Sequence, residues 1–245
     1  MGAVTLFAAV VIGLTVGLFG SGGSILTVPL LVLWLGIPEK QAIQLALGIV
    51  ALISLVAVLP HWRAGRISWL WLMRLAGPGV LGALLGGALS PLLASTVQLV
   101  LLALLMLLSS WNMWRREPWR WQLPGGPLVL ALGFVLGMLT GLVGVGGGFL
   151  LVPVLLALST LTAQQVVATS LMLVLLQSLS GFISQSIALA HLPNIPMLLT
   201  FGGIGAAGSL LALLLLPLIP QLVFRRSFAL LLPALATALI WQHWV

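Results

Sequence analysis

Long apolar runs, separated by short polar or glycine- and proline-rich breaks, constrain this chain more than any other feature. At a rise of about 1.5 Å per residue, a helix of about 20 residues crosses a bilayer core of roughly 30 Å. Only 4% of the residues are charged, whereas about a quarter are charged in a soluble domain. The sequence therefore predicts a multi-pass helical protein with the lipid bilayer as a partner, and excludes soluble, disordered and nucleic-acid-binding proteins.

The breaks between the runs define the expected helices. Two apolar segments are interrupted by glycine-rich loops, Gly20–Ser24 and Gly144–Gly148, and the pieces after these loops are too short to cross a bilayer. The run Ala3–Phe19 lacks the positive residues that begin a signal peptide, so we expect it to be retained. The runs expected to cross the membrane are Gln41–Leu59, Ser68–Leu89, Ser95–Trp114, Ala163–Ala190, Ile195–Leu218 and Phe224–Trp244.

An internal duplication relates the two halves of the chain. A shift of 124 positions places Gly17–Leu33 on Gly141–Ala157, where nine of the 17 aligned residues are identical and both copies read G-x-G-G-x-x-L-x-V-P. We therefore predict repeat 1 at residues 1–114, a cytoplasmic linker at 115–126 and repeat 2 at 127–245. Each repeat would contain a glycine-broken re-entrant or half-helix hairpin followed by three transmembrane helices.

The arginines predict how the chain lies in the membrane. If each glycine-broken segment returns to the side from which it enters, all eight arginines fall on the cytoplasmic side, as the positive-inside rule requires. If each broken segment were one continuous span, Arg225 and Arg226 would fall opposite the other six. The first arrangement places both termini outside. Its odd number of crossings inverts one repeat relative to the other, which is the plan of many secondary transporters.

The two glycine-rich loops are the expected binding site. A glycine-rich break within lipid must line a cavity or be buried in protein, and the helix that follows begins with outward-pointing N–H groups and a partial positive charge. Two such helix ends, brought together by the relation between the repeats, would hold a small anion without a charged side chain. Close helix packing is the alternative role of glycine, and we assign it to Gly82, Gly86, Gly133 and Gly137.

Neutral side chains complete the expected site, because no Asp, Glu, Lys or Arg lies at the centre of a predicted span. This absence disfavours cation carriers and proton pumps. Structural hydrogen bonding is the alternative for Thr169 and Ser170, and the expected role of Ser178 and Ser180. The expected substrate-binding residues are Gly20, Ser21, Gly22, Gly23, Ser24, Gly144, Gly146, Gly147, Gly148, Thr169, Ser170 and Gln44.

Gating or mouth residues are expected around this site, with the two prolines bending or terminating the short helices and the arginines attracting anions at the cytoplasmic mouth. These residues are Pro29, Pro153, His61, Arg63 and Arg66. The chain has no cysteine, no buried carboxylate and no histidine cluster. We therefore predict no catalytic residue, no metal site, no cofactor and no enzymatic activity.

The chain resembles the TauE/SafE-like sulfite exporter family, also called TSUP. The resemblance lies in the duplicated glycine motif, in Ala168-Thr169-Ser170-Leu171 and in His61-x-Arg63-x-Gly65, and it covers both repeats. It implies a bacterial plasma-membrane transporter that exports sulfite, thiosulfate or small organosulfonates. The Thr-Ser pair of the family pattern aligns with Leu45-Ala46 in repeat 1. If both repeats normally contribute this pair of hydroxyl groups to the site, only repeat 2 contributes it here.

Taken together, the residues and the resemblance predict an all-α transporter of two inverted repeats. It would move a small sulfur oxyanion across the inner (plasma) membrane of a bacterium by alternating access. Two alternatives stay open, because an anion channel would use the same loops without gating and a helix N-terminus also binds the carboxylate of a small acid or amino acid. The exact substrate, the direction, the coupling ion and the formation of a homo-oligomer also stay open.

Overall fold

The computed structural model describes residues 3–19, 24–114, 126–190, 193–215 and 221–244. Within these ranges the chain forms ten α-helices and short 3-10 turns and contains no strand, which confirms the all-α fold. The helices are α1 (Ala3–Phe19), α2 (Thr27–Leu33), α3 (Glu39–Arg63), α4 (Trp69–Leu89), α5 (Ser95–Trp114), α6 (Pro127–Val143), α7 (Gly148–Leu158), α8 (Ala163–Leu189), α9 (Ile195–Leu215) and α10 (Gln221–Trp244).

Four of the helices are long and apolar enough to cross a membrane over the described residues, namely α3, α4, α8 and α9. The pieces on either side of the second glycine break, α6 and α7, are shorter apolar helices. The order of elements in α1 to α5 is repeated in α6 to α10, and the 124-residue shift places α1 on α6 end to end. Of the predicted linker only Gly126 is described, so the domain division stays a prediction.

The predicted end of the first complete span is wrong. The sequence predicts that this span ends at Leu59, before Pro60, but α3 continues to Arg63 and contains this proline in its last turn. A proline removes only its own N–H donor, and the carbonyl of Pro60 still accepts the N–H of Ala64 at 3.1 Å. At the other end, Glu39 occupies the first turn of α3, where a carboxylate interacts favourably with the helix dipole.

Glycine-lined contacts join the two repeats. A Cβ on Gly82 of α4 would meet the carbonyl oxygen of Phe134 in α6, so the two backbones approach too closely for a side chain. Gly13 of α1 and Gly205 of α9 meet in the same way. The first helix of each glycine-broken segment thus packs on a long helix of the other repeat. The other glycines predicted to pack helices also lie in the contact between α4 and α6: Gly86, Gly133 and Gly137.

The helices α3 and α8, which occupy equivalent positions in the two repeats, pack against each other and are largely buried. They run antiparallel, because Gln44 near the start of α3 donates from Nε2 to Ser186 Oγ near the end of α8, at 3.0 Å. One turn further along α3, Gly48 leaves room for the ring of Phe182. This antiparallel pair provides the surface on which the second glycine loop lies.

Candidate functional site

The loop 144–147 joins α6 to α7 and has a backbone that only glycine adopts readily. Gly144, Gly146 and Gly147 have φ values of 77°, 57° and 59°, all in the left-handed region. The whole loop is buried. Gly147 is the N-cap of the 11-residue helix α7, so the loop leads directly to the end where a helix presents N–H groups and a partial positive charge.

The two copies of the duplicated motif contact each other at this loop. Ser24, the last residue of the first glycine-rich loop, is fully buried and donates from Oγ to the carbonyl oxygen of Val145 at 2.8 Å. A Cβ on Gly146 would lie 3.1 Å from Ser24 Oγ and 2.7 Å from Val50 Cγ1 of α3. The loop is therefore enclosed by both repeats. Glycine is needed at position 146 for space as well as for conformation.

A polar pair from α6 and α8 lies against the same loop. Thr140 donates from Oγ1 to the carbonyl oxygen of Leu136 at 2.9 Å, and its Oγ1 lies 3.4 Å from Gln177 Oε1. A Cβ on Gly147 would meet Thr140 Oγ1 and would lie 3.3 Å from Gln177 Oε1. The Nε2 atom of Gln177 occupies the space that a side chain at Gly79 would fill. The Gln177 amide therefore lies between α4, α6 and the loop.

Several buried polar atoms on these elements have no hydrogen-bond partner in the described part of the chain. Leaving a buried donor or acceptor unsatisfied costs about 1–3 kcal/mol, so such a group is a candidate to meet a ligand. Sequence reasoning assigned Ser178 to structural hydrogen bonding, but its Oγ makes no such bond here, whereas Ser180 donates to the carbonyl of Leu176 at 2.8 Å. The unsatisfied atoms on α2, α3 and α8 are Thr27 Oγ1, Ser54 Oγ, His61 Nδ1, Gln177 Nε2, Ser178 Oγ and Gln185 Oε1.

Sequence reasoning did not select Gln177, Ser54 or Thr140 as site residues. The equivalence of Ser54 and Ser178 under the 124-residue shift was the available signal for that pair. The signal for Gln177 was an amide in the middle of an apolar run, which is costly in a membrane unless it has a role. Thr140 had no comparable signal, because it becomes informative only when Gly147 is known to contact it.

The expected hydroxyl pair of α8 does not lie at the loop. Thr169 Oγ1 accepts the backbone N–H of Ser68 at 3.0 Å, next to the start of α4. Ser170 donates from Oγ to the carbonyl oxygen of Val167 at 3.0 Å. Because Thr169 precedes Gln177 by eight residues, it lies about 12 Å from Gln177 along the helix axis. Thr169 therefore makes a structural hydrogen bond to the start of α4, which is the alternative to substrate binding given above.

The remaining expected residues are distributed as follows. Gly20, Ser21, Gly22 and Gly23 lie outside the described residues. The helices α2 and α7 continue past Pro29 and Pro153, so these prolines do not terminate them. Gln44 donates from Nε2 to Ser186 Oγ. Its neighbour Ile43 lies against the start of the second loop, because a Cβ on Gly144 would be 2.7 Å from Ile43 Cγ2.

The mouth residues lie at the end of α3 and in the turn that follows it. Arg63 and Arg66 are exposed, whereas His61 is buried and its Nδ1 has no partner among the described residues. Arg74 of α4 is also exposed and lies over the ring of Trp71, 5.7 Å from its centroid. These positive charges are therefore at the surface and not at the loop.

Neutral groups dominate the neighbourhood of the loop. Lys40 donates from Nζ to the carbonyl oxygen of Pro91 at 2.7 Å, in the connection between α4 and α5. Within the described ranges, no group of three or more His, Cys, Asp or Glu side chains could hold a metal ion. The groups that the structure places at the loop are hydroxyls, one amide and backbone, which suit an anion or a polar neutral group.

Comparison with known proteins gives a consistent result. The family model described as sulfite exporter TauE/SafE matches residues 5–240. A probable membrane transporter protein of Xylella fastidiosa is 29% identical and covers 98% of this chain and 95% of its own length. A probable membrane transporter protein of Methanocaldococcus jannaschii is 27% identical over 71% of this chain and 68% of its own length. No solved structure matches. These relatives are named as transporters and not as enzymes.

Proposed function

Since the chain belongs to the TauE/SafE sulfite exporter family of membrane proteins, we propose that it transports a small sulfur oxyanion, such as sulfite, thiosulfate or an organosulfonate. The observation that carries this proposal is the buried left-handed glycine loop at the N-terminus of α7, in contact with Ser24 of the first motif. Helix N-termini with glycine-rich approaches bind anions because their N–H groups point at the ligand and the helix dipole favours negative charge.

The packing of the repeats supports transport by alternating access. The equivalent helices α3 and α8 are antiparallel, and the first helix of each broken segment packs on a long helix of the other repeat. Inverted repeats with broken helices commonly move as two bodies around a central site. In this proposal the arginine-rich loops are cytoplasmic, both termini are outside, and the anion is exported across the plasma membrane of a bacterial cell.

Burial of the loop favours a transporter over a channel. Every residue from 144 to 147 is buried, whereas a channel that is open throughout would keep its binding groups accessible to water. In the transporter proposal, Ser24 and the loop surround the anion in an occluded state. Arg63 and Arg66 raise the anion concentration at one mouth, an effect that salt screens.

A ligand-stabilisation experiment tests the proposal. The purified protein is heated with sulfite, thiosulfate, acetate, alanine or choline chloride, and the shift of the melting temperature is recorded. We expect sulfur oxyanions to stabilise the protein and choline chloride to have no effect beyond that of its chloride. We expect the stabilisation to be lost in Gly147→Ala, whose Cβ would meet Thr140 Oγ1, and kept in Gly77→Ala, whose Cβ would enter open space.

Flux into proteoliposomes separates the remaining alternatives. A transporter gives sulfite uptake that saturates with concentration, whereas a channel gives uptake that rises in proportion to it. Stronger stabilisation by acetate or alanine than by sulfite would favour a carboxylate or amino-acid substrate. Stabilisation by none of these anions would contradict an anion site at the loop.

A further inference from the structure

We infer that Ser54 of α3 and Ser178 of α8 form a pair of hydroxyl donors that bind the oxyanion at the place where these two helices cross. The inference rests on the proposed anion transport and adds the two side chains that recognise the ligand. It starts from a property that the two residues share. Both are 0% exposed, and neither Oγ atom has a hydrogen-bond partner among the described residues.

A hydroxyl without a partner is unusual on these helices. A serine or threonine inside an apolar helix commonly donates to a carbonyl oxygen of the preceding turn. On α8, Ser180 donates to the carbonyl oxygen of Leu176 at 2.8 Å, and Ser170 makes a bond of the same kind at 3.0 Å. The hydroxyls of Ser54 and Ser178 make no such bond, although their own helices offer the same carbonyl groups. Both hydroxyls are therefore available to a ligand.

The packing of α3 on α8 places the two serines at the same height along the helix pair. Gly48 of α3 faces Phe182 of α8, in register with the hydrogen bond between Gln44 and Ser186. Five residues further along α3 and five residues back along α8, this antiparallel pairing reaches position 53 opposite position 177, which are equivalent under the 124-residue shift. The next residue of each helix is one of the two serines, about 1.5 Å further along its axis.

Ser178 lies on the side of α8 that faces α3. Phe182 and Ser186 follow it by four and eight residues, a spacing that keeps residues on one side of a helix. Both contact α3, since Phe182 lies against Gly48 and Ser186 Oγ accepts from Gln44 Nε2. The unpartnered hydroxyl of Ser178 is therefore on the contact side of its helix.

Ser54 lies on the side of α3 that carries the second glycine loop. Ile43 and Val50 precede it by eleven and four residues, again a spacing that keeps residues on one side. A Cβ on Gly144 would be 2.7 Å from Ile43 Cγ2, and a Cβ on Gly146 would be 2.7 Å from Val50 Cγ1. The loop thus advances along α3 in the direction of Ser54.

The N-terminus of α7 reaches the height of the two serines. Gly147 is the N-cap of α7, and a Cβ on it would lie 3.3 Å from Oε1 of Gln177, the residue before Ser178. The partial positive charge of a helix N-terminus is therefore next to the crossing of α3 and α8. An anion at this crossing would meet one hydroxyl from each repeat and the end of α7.

The chemistry of sulfur oxyanions suits these groups. Sulfite, thiosulfate and organosulfonates share an –SO3 group, whose three oxygens accept hydrogen bonds from different directions. A hydroxyl that donates to an anion makes a charge-assisted hydrogen bond, which is roughly twice as strong as a bond between neutral groups. Binding would also give both buried hydroxyls the partner that they lack.

Three alanine variants test the assignment. Ser54→Ala and Ser178→Ala each remove a hydroxyl without a partner, so we expect the ligand-free melting temperature to be unchanged or higher. The matched control is Ser180→Ala on α8, whose hydroxyl is already bonded to Leu176. The dissociation constants of sulfite and methanesulfonate are measured by titration calorimetry on the purified full-length protein, at constant ionic strength and without oxygen.

We expect both anions to bind about tenfold or more weakly to Ser54→Ala and to Ser178→Ala, which corresponds to about 1.4 kcal/mol. Ser180→Ala should bind them as the unaltered protein does. Tenfold weaker binding in the first two variants, with unchanged ligand-free stability and normal binding in the control, would support the inference in full.

Each contrary outcome bears on a definite statement. Unchanged affinity in Ser54→Ala or in Ser178→Ala would overturn the pair and leave anion transport standing. A lower ligand-free melting temperature in either variant would show that its hydroxyl has a partner within the protein, and would remove the premise. An equal loss of affinity in Ser180→Ala would show that the effect is not specific to the two hydroxyls. Absence of binding of both anions to the unaltered protein would overturn the proposed function itself.

Discussion

Substitution of Gly147 by alanine tests the geometry from which the site is built. The residue has a φ of 59°, and an L-residue in the left-handed region costs roughly 1–2 kcal/mol. Its Cβ would also meet Thr140 Oγ1, which would have to move away from the carbonyl of Leu136 at 2.9 Å. Losing that hydrogen bond adds about 1 kcal/mol. We therefore expect Gly147→Ala to lower the free energy of unfolding by about 2–3 kcal/mol.

The expected change is large enough to measure by heating. For a chain of this size, 1 kcal/mol shifts the melting temperature by about 2–4 °C, so Gly147→Ala should melt about 4–12 °C below the unaltered protein. Tryptophan fluorescence can follow the transition, because the chain has ten tryptophans. Gly77→Ala is the matched control. Its Cβ would enter open space within α4, and replacing a glycine inside a helix should stabilise by about 0.5–1 kcal/mol.

A double variant separates the two contributions. Thr140→Ala removes the atom with which the new Cβ collides, so Gly147→Ala should be less damaging in that background, by about 1 kcal/mol, and should keep only the cost of its φ. Additive effects of the two substitutions would show that Thr140 does not contact position 147. An unchanged melting temperature in Gly147→Ala alone would refute the left-handed loop and, with it, the proposed orientation of the end of α7.

Three further predictions follow from contacts elsewhere. Gly137→Ala should destabilise the fold by more than about 2 kcal/mol, since its Cβ would meet the carbonyl of Gly79; a melting temperature near that of the unaltered protein would contradict this backbone contact. Thr169→Val should lower stability by about 1–3 kcal/mol by leaving the Ser68 N–H without its acceptor, yet leave anion affinity unchanged; weaker anion binding would return Thr169 to the site. Arg66→Gln should slow anion uptake at low salt only, and an equal loss at high salt would refute electrostatic attraction at the mouth.

The helices were largely predictable because their ends carry local signals. α6 begins at Pro127, whose missing N–H is harmless in the first turn, and ends before Gly144, whose left-handed conformation stops a helix. The predicted loop Gly144–Gly148 and the predicted break before residue 127 agree with these bounds. Pro60 misled the prediction because a proline usually ends or kinks a helix, whereas α3 continues for three residues beyond it.

The members of the site were only partly predictable, because the loop meets α8 through tertiary packing. Gly147 and Gln177 are 30 positions apart, and the height at which a loop lies along a helix is not encoded in either segment alone. The hydroxyl of Thr169 was an expectation from its place in an apolar span, yet it lies about two helical turns from Gln177, the residue of α8 next to the loop. The contact between Ser24 and Val145, by contrast, agrees with the prediction that the duplicated motifs approach each other.

The exchanged packing of the glycine-lined helices has a consequence for how such a chain arose. α6 of repeat 2 lies on α4 of repeat 1, and α1 of repeat 1 lies on α9 of repeat 2. Each first helix thus packs mainly on the other half, so a half-length ancestor would have buried its first helix fully only as a pair of identical subunits. Gene fusion would then have joined the two subunits in one chain, after which the side chains of each half could change independently.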